Sequence, residues 1–278
     1  MKTDFLISSP IFKTLVYANV YISFCAFAQV ILTYYLFHVP FNYENNSYLI
    51  FIFLSTFLQY NVQRGYILNN QENQTDRSQW LLKHKKTMIY AIVLSLVAVL
   101  FLCNSLSWTS IIIMISAEVV SNLYYLPPVN LRQHGYIKAF LVSAIWIISC
   151  TLVPLIENNL LTLQSSWYLV SQFLFISVLC LLFDVKDIRK DYMIGINTYA
   201  NKFGVNFTKY LCIVLQTFAL VGYYFFYHQG IAIIGYLLFT FLVLAFIMQT
   251  TEKKHAFYYY VWIDGLLIAQ SIVFFFFL

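Results

Sequence analysis

The sequence predicts an all-α integral membrane protein: one polytopic domain over residues 1–278, built from nine transmembrane helices in a bundle with a cytoplasmic N-terminus. Three observations predict it. Of 278 residues 61% are hydrophobic and only 10% charged, with mean hydropathy +0.74, which is more apolar surface than a water-facing domain can bury. Runs such as 90–103 and 231–248 are apolar on every face, whereas β-barrel strands alternate, so 27 Phe and 23 Tyr do not signal a barrel. Finally, Lys and Arg occur only in alternate inter-run segments or at the run ends that border them, as they do on the cytoplasmic side.

Crossing roughly 30 Å of hydrocarbon takes about 20 helical residues, and runs near that length follow one another along the chain. The first, 14–37, follows Lys2 and Lys13; it continues through Val30, Ile31 and Leu32 beyond an Ala26-Phe-Ala28 triplet, which argues against a cleaved signal peptide. The second, 47–68, holds Arg64 near its end, and Arg77, Lys83, Lys85 and Lys86 come after it. The third, 87–103, meets the fourth, 106–126, at a tight break around Asn104 and Ser105 that carries no cation. Arg132 and Lys138 mark the start of the fifth, 136–157. The sixth, 167–184, runs into a charged stretch with Lys186, Arg189, Lys190, Lys202 and Lys209, and the seventh is 209–227. The eighth, 230–250, is followed by Lys253 and Lys254, and the ninth is 256–278. All 16 Lys and Arg therefore lie on one side, the net charge of +5 reflects topology, and no nucleic-acid partner is implied. The expected location is a bacterial inner or cell membrane, with lipid as the surrounding partner.

Within this frame Tyr258, Tyr259 and Tyr260 read as an interfacial belt, and the Phe run 274–277 as a lipid-facing anchor. Cys25, Cys103, Cys150, Cys180 and Cys212 stand singly and read as small core residues. The five histidines lack ligand-type partners at i, i+4, so zinc and haem are not indicated.

Charge is costly in a membrane, so the eleven acids carry the information. Asp184, Asp187 and Asp191, in Asp184-Val-Lys-Asp187-Ile-Arg-Lys-Asp191, share a face of a helix at i, i+3 and i+7. Three like charges repel one another. Either Mg²⁺, which takes one or two carboxylates together with waters and phosphate oxygens, relieves them, or Lys186, Arg189 and Lys190 pair with them at a solvated helix end. Two further acids, Glu118 and Asp264, each lie eight residues from the predicted inner end of a span, about 12 Å deep, with Asn122 one turn from Glu118. Such groups serve an acceptor pocket or proton relay, or clamp helices together. Tyr60, Tyr124, Tyr125, Trp146 and Tyr192 either face a developing cation or belong to the interfacial belt.

The continuation Asp184-x-x-Asp187-x-x-x-Asp191-x-x-x-Gly195-x-x-Thr198, with Gly204 beyond it, resembles the second aspartate-rich motif of the UbiA superfamily of intramembrane prenyltransferases. Nine spans, and a motif after the sixth, are similar to that family. Tyr124-Tyr125-Leu-Pro127-Pro128 followed by Arg132 resembles the family's segment after the fourth helix, where a tyrosine and basic residues lie near the diphosphate. The family's first motif, N-x-x-x-D-x-x-x-D, falls on Asn61-Val-Gln-Arg-Gly65-Tyr-Ile-Leu-Asn69, where only the Asn is kept and Gly65 and Asn69 stand at the aspartate positions.

The resemblance implies Mg²⁺ held by Asp184, Asp187 and Asp191, with Asn61 and Asn69 at the weakened first site. It implies a diphosphate held by Arg64, Tyr125, Arg132 and Lys186, and Glu118, Asn122 and Asp264 as pocket candidates. Arg64, with Lys83, Lys85 or Lys86, is a candidate to replace the charge of one metal, unless it is only a positive-inside residue. The implied activity moves a polyprenyl group from its diphosphate to a lipophilic, aromatic acceptor. A terpene cyclase starts from the same ionisation, and a non-catalytic isoprenoid-diphosphate binder fits the degenerate first motif. A secondary transporter ranks last, for want of internal repeats or broken helices in both halves.

Overall fold

The computed structural model describes residues 9–70, 75–124, 131–227 and 230–278, and at 66–70 the backbone alone. Its described residues include no strand, and 86% of them are in helix. In chain order the helices are α1 (Pro10–Tyr17), α2 (Val20–Leu36), α3 (Tyr43–Asn70), α4 (Asp76–Lys83), α5 (Lys85–Leu102), α6 (Trp108–Leu123) and α7 (Gly135–Ile147). There follow α8 (Val153–Glu157), α9 (Leu163–Met193), α10 (Tyr199–Phe203), α11 (Val205–Phe226), α12 (Ala232–Gln249) and α13 (Asp264–Phe277). Six helical segments among the described residues are long and apolar enough to cross a membrane, or seven when the bent pair α1 and α2 counts as one span. The protein is an integral, multi-pass membrane protein.

Departures from the expected spans have local causes. The first apolar run is broken at Ala18 and Asn19, where α1 and α2 meet at 68°. Asn19 has φ +64°, a left-handed conformation that asparagine tolerates better than most residues. The break at Asn104 is real: a 3₁₀ turn, Cys103–Ser105, ends α5, and the Ser107 hydroxyl accepts from Ser110 N to start α6. Helix α6 has only 16 residues. The fifth run passes through a π turn, Ile148–Leu152, just before Pro154, which lacks the N–H for a regular ladder. Helix α9 continues nine residues beyond the expected end of the sixth run, because charged residues end a hydrophobic stretch without ending a helix. The short α4, lying outside every expected span, is capped by Thr75.

Helix α9 is the axis of the bundle. Phe175, Val178, Leu181, Leu182 and Val185 along it are fully buried, and it packs along α11, where Gly222 lets the backbones approach; a Cβ there would collide with the Ser171 hydroxyl. The interior also holds polar links, among them Gln29 Nε2 to Gln270 Oε1 at 3.1 Å and Gln270 Nε2 to the Tyr223 hydroxyl at 2.6 Å. By contrast α5 lies at the periphery, with Tyr90, Leu94, Leu100 and Phe101 exposed for lipid.

Two aromatic assignments are corrected. Phe274 is buried against the rings of Tyr223, Tyr236 and Phe239, while Phe275 and Phe276 are exposed; successive residues turn by about 100° on a helix, so a run of four cannot all face lipid. Of the tyrosine triplet, Tyr259 is buried and Tyr260 faces an internal cavity.

Candidate functional site

The C-terminal turns of α9 form one wall of a cavity of about 610 Å³ that is charged at one end and apolar at the other. Arg64, Arg77, Arg132, Lys138, Lys186 and Lys190 line it, against Asp76, Asp184, Asp187 and Asp264. Its apolar part is made by Ile22, Val142, Trp146, Ile176, Leu179 and Leu267.

Asp184 and Asp191 lie two turns apart on α9, and a single ammonium joins them: Lys138 Nζ is 2.6 Å from Asp184 Oδ1 and 2.7 Å from Asp191 Oδ2. Arg132 Nη2 reaches Asp191 Oδ1 at 3.3 Å. Asp187, three residues on from Asp184, turns to Lys186 Nζ at 2.8 Å, and that ammonium also lies 5.1 Å from the centre of the Tyr260 ring. The expected repulsion among the aspartates is thus relieved chiefly by Lys138, a cation from another helix, and less by the three basic neighbours in sequence, of which, among the described residues, only Lys186 pairs with one of the three aspartates.

The position of Lys138 follows from a glycine. Helix α7 starts at Gly135 directly against the turn that follows α9, where an added Cβ would run into the Asn197 carbonyl and lie 2.9 Å from Ile196 Cγ2. That turn is set by Gly195 at φ +76° and by Ile196 N donating to Asp191 O at 2.9 Å. The close approach brings the first turn of α7 beneath the carboxylates.

The residues implied for Mg²⁺ divide into two groups. Asp184 and Asp187 both line the cavity, and the buried Asp184 Oδ2 has no hydrogen-bond partner. A free carboxylate oxygen beside a second, accessible carboxylate fits a cation that keeps waters and takes phosphate oxygens. Asp191 is engaged on both oxygens by Arg132 and Lys138. Among the described residues no three His, Cys, Asp or Glu side chains gather as a ligand set.

On the first-motif side, the motif positions with described side chains are Asn61 and Gly65. Asn61 is buried with its Nδ2 donating to Ala18 O and Phe57 O at 3.0 and 2.8 Å, while its Oδ1 accepts from Asn19 Nδ2 at 3.0 Å. Both ends of its amide thus take part in holding the α1–α2 bend. Gly65 leaves open space, with nothing within 4 Å of an added Cβ. The Asn69 side chain lies outside the described residues, as does Tyr125.

Close to Asn61 sits a cation that sequence reasoning passed over. The buried Arg77 donates from Nε and Nη2 to Tyr17 O at 3.3 and 3.2 Å and from Nη2 to Asn19 Oδ1, with its guanidinium 5.1 Å from the Tyr260 ring centre. Burial, and after it the neighbouring Arg64 guanidinium, pulls Arg77 down to about 10, so it carries its charge at neutral pH. No carboxylate among the described residues pairs with Arg77 or Arg64. Lys83, Lys85 and Lys86, expected alongside Arg64, are exposed and lie off the cavity.

The deep polar groups occupy separate spaces. Asp264 lines the main cavity, whereas Glu118 lines a second one of about 270 Å³, with Asn122 Nδ2 donating to Glu118 Oε1 at 2.8 Å. Tyr60, Tyr124 and Trp146 wall both cavities, and Trp146 Nε1 donates to the Tyr60 hydroxyl at 3.2 Å. The two acids therefore do not share one pocket. Tyr192 is exposed and faces neither.

Of the functional groups missed in the sequence, Lys138 had a usable signal: a lysine inside an apolar run implies a buried acid as partner. Asn19, an amide within the first run, marked the bend. Nothing in the sequence distinguishes Arg77 from the other loop cations.

Searches of curated proteins and of solved structures return no match to the chain. A family profile matches residues 81–263, a stretch that takes in Lys138, all three aspartates and Tyr260, and by that match the chain belongs to the UbiA prenyltransferase family.

Proposed function

We propose that the protein transfers a polyprenyl group from its diphosphate to a lipophilic, aromatic acceptor within a cell membrane. The observation that carries the reading is the lining of one cavity, in which six Lys and Arg side chains meet apolar and aromatic walls. A diphosphate needs the first and a polyprenyl tail the second.

Arg64, Arg132, Lys186 and Lys190 bind the diphosphate oxygens in this reading, and their fixed charges favour the negative charge that grows on the leaving group. Asp187 and the free oxygen of Asp184 would hold Mg²⁺, which when bound adds positive charge to the same leaving group. Lys138 is a positioning residue that fixes Asp184 and Asp191 on α9. The bond between C1 of the prenyl chain and the diphosphate oxygen breaks with its electron pair staying on oxygen. Tyr60, Tyr124 and Trp146 present π-faces to the resulting allylic cation, and the apolar walls keep water from it. An electron-rich ring carbon of the acceptor forms the new bond and loses its proton, which in this reading passes to Asp264, one of the four aspartates that line the cavity.

The reading includes nine spans with the N-terminus and the cavity mouth on the cytoplasmic side. Besides the six or seven segments already counted, α3 has 28 residues and α6 is a shorter apolar helix, and adding both brings seven to nine.

The test is release of inorganic pyrophosphate by the purified protein in lipid, with Mg²⁺ and diphosphates from geranyl to longer polyprenyl chains, with and without a membrane extract as acceptor source. Mg²⁺-dependent release, lost in Asp187→Asn, is the expected outcome. Diphosphate binding without release under any of these mixtures would instead identify a non-catalytic binder.

A further inference from the structure

The first-motif side of the cavity holds an arginine where a metal would otherwise be expected. Asn61, the one residue of that motif still present, is engaged with Ala18, Phe57 and Asn19, and Gly65 offers no side chain. Asn19 in turn accepts from Arg77 through its Oδ1. The chain Asn61 to Asn19 to Arg77 fixes a guanidinium in the cavity wall, backed by the Tyr17 carbonyl and the Tyr260 ring.

A buried guanidinium normally sits against a carboxylate, because the cost of removing it from water must be met by an opposite charge. Arg77 has a carbonyl, an amide and Tyr260 as its direct partners, and among the described residues the carboxylate of Asp264 acts on it through the field alone, without an ion pair. Its neighbour Arg64 adds to the excess of positive charge. An anion entering the cavity would meet this positive charge, and a guanidinium binds a phosphate group with directional, charge-assisted hydrogen bonds without any metal.

We propose that Arg77, held in place by Asn19 and Asn61, substitutes for the first metal ion, so that the diphosphate is bound by a fixed guanidinium on this side and by a divalent cation only on the Asp184 and Asp187 side. The inference rests on the reading of the cavity as a diphosphate site. It makes part of the diphosphate affinity independent of metal and sensitive to salt.

The experiment measures binding of farnesyl thiolodiphosphate, which resists ionisation, to the purified protein in phosphatidylethanolamine/phosphatidylglycerol nanodiscs by calorimetry, once in EDTA and once in Mg²⁺. The wild type binds in EDTA, and Arg77→Met weakens that binding by about tenfold or more, while Arg77→Lys keeps part of it. With Mg²⁺ present the loss in Arg77→Met is smaller. Asn19→Gly, which preserves the left-handed backbone and deletes the amide that holds Arg77, weakens binding in EDTA in the same direction and serves if Arg77→Met fails to fold. Wild-type binding that requires Mg²⁺ altogether, or unchanged EDTA affinity in the variants, overturns the inference and leaves the diphosphate site standing. Absence of binding in both EDTA and Mg²⁺ overturns the diphosphate site itself, and this inference with it.

Discussion

Lys138 is the residue on which the second motif depends. Its ammonium is the shared partner of Asp184 and Asp191, both buried, so removing it leaves two carboxylates facing each other in a low-dielectric wall. Breaking a buried pair of this kind costs about 3–5 kcal/mol, more than the pair itself contributes over an apolar replacement. Lys138→Met is therefore expected to lower the thermal midpoint of the protein in detergent by several degrees, and adding Asp184→Asn should recover part of the loss. An unchanged midpoint in Lys138→Met would mean that the carboxylates do not rely on this cation. At this scale the sequence was half legible. Spacing along one helix placed Asp184, Asp187 and Asp191 together, because helical geometry is local. Their partner comes from another helix, and no spacing rule reaches across a bundle. Tyr260 was misread for a related reason: a tyrosine at the end of an apolar run suits both an interface and a cavity wall, and only the packing of neighbouring helices decides between them.

The junction between α9 and α7 is the element that delivers Lys138. Gly135 stands against the Asn197 carbonyl and the Ile196 side chain, and the obstacle is mostly backbone, which cannot rotate away. Gly135→Ala is expected to cost about 1–3 kcal/mol by overpacking, and to shift the start of α7 relative to Asp191. Diphosphate binding should then fall together with stability. A control at Gly65→Ala, where nothing lies within 4 Å of an added Cβ, should leave the stability within about 0.5 kcal/mol of wild type or raise it, as alanine is the better helix former. Equal behaviour of the two variants in thermal denaturation would show that the junction is not tightly packed. Element identity was largely readable from hydropathy, since each expected run contains a helix. The details that position the site were not. The bend at Asn19 interrupts a run whose hydropathy hardly changes, and α9 continues past the point where its apolar character stops. Hydropathy reports where a helix meets lipid, and the aspartates sit where it no longer does.

For the whole molecule, the arrangement of cations sets a parity that the helix lengths leave open. Asn104 lies in the break between α5 and α6, and Lys253 in the exposed turn after α12. Nine spans put five crossings between them, counting α6, the run through α7 and α8, then α9, α11 and α12, so the two positions face opposite sides. The weak member of that set is α6. Its 16 residues give about 24 Å of helix, short of a hydrocarbon core of roughly 30 Å, and it crosses only if the 3₁₀ turn before it and the residues after it lie at the interfaces or the bilayer thins locally. If α6 instead dips in and returns, four crossings remain and both positions share a side. Single cysteines at Asn104 and Lys253 decide this in a background with Cys103 and Cys180 replaced by serine, the other native cysteines being buried. A membrane-impermeant maleimide applied to intact cells is expected to label Asn104→Cys at once, and Lys253→Cys only after the membrane is opened. Labelling of both together would remove α6 from the spans. Labelling in the reverse order would put the cationic mouth outside the cell, where a cytoplasmically made polyprenyl diphosphate could not reach Arg77, Arg132 and Lys186.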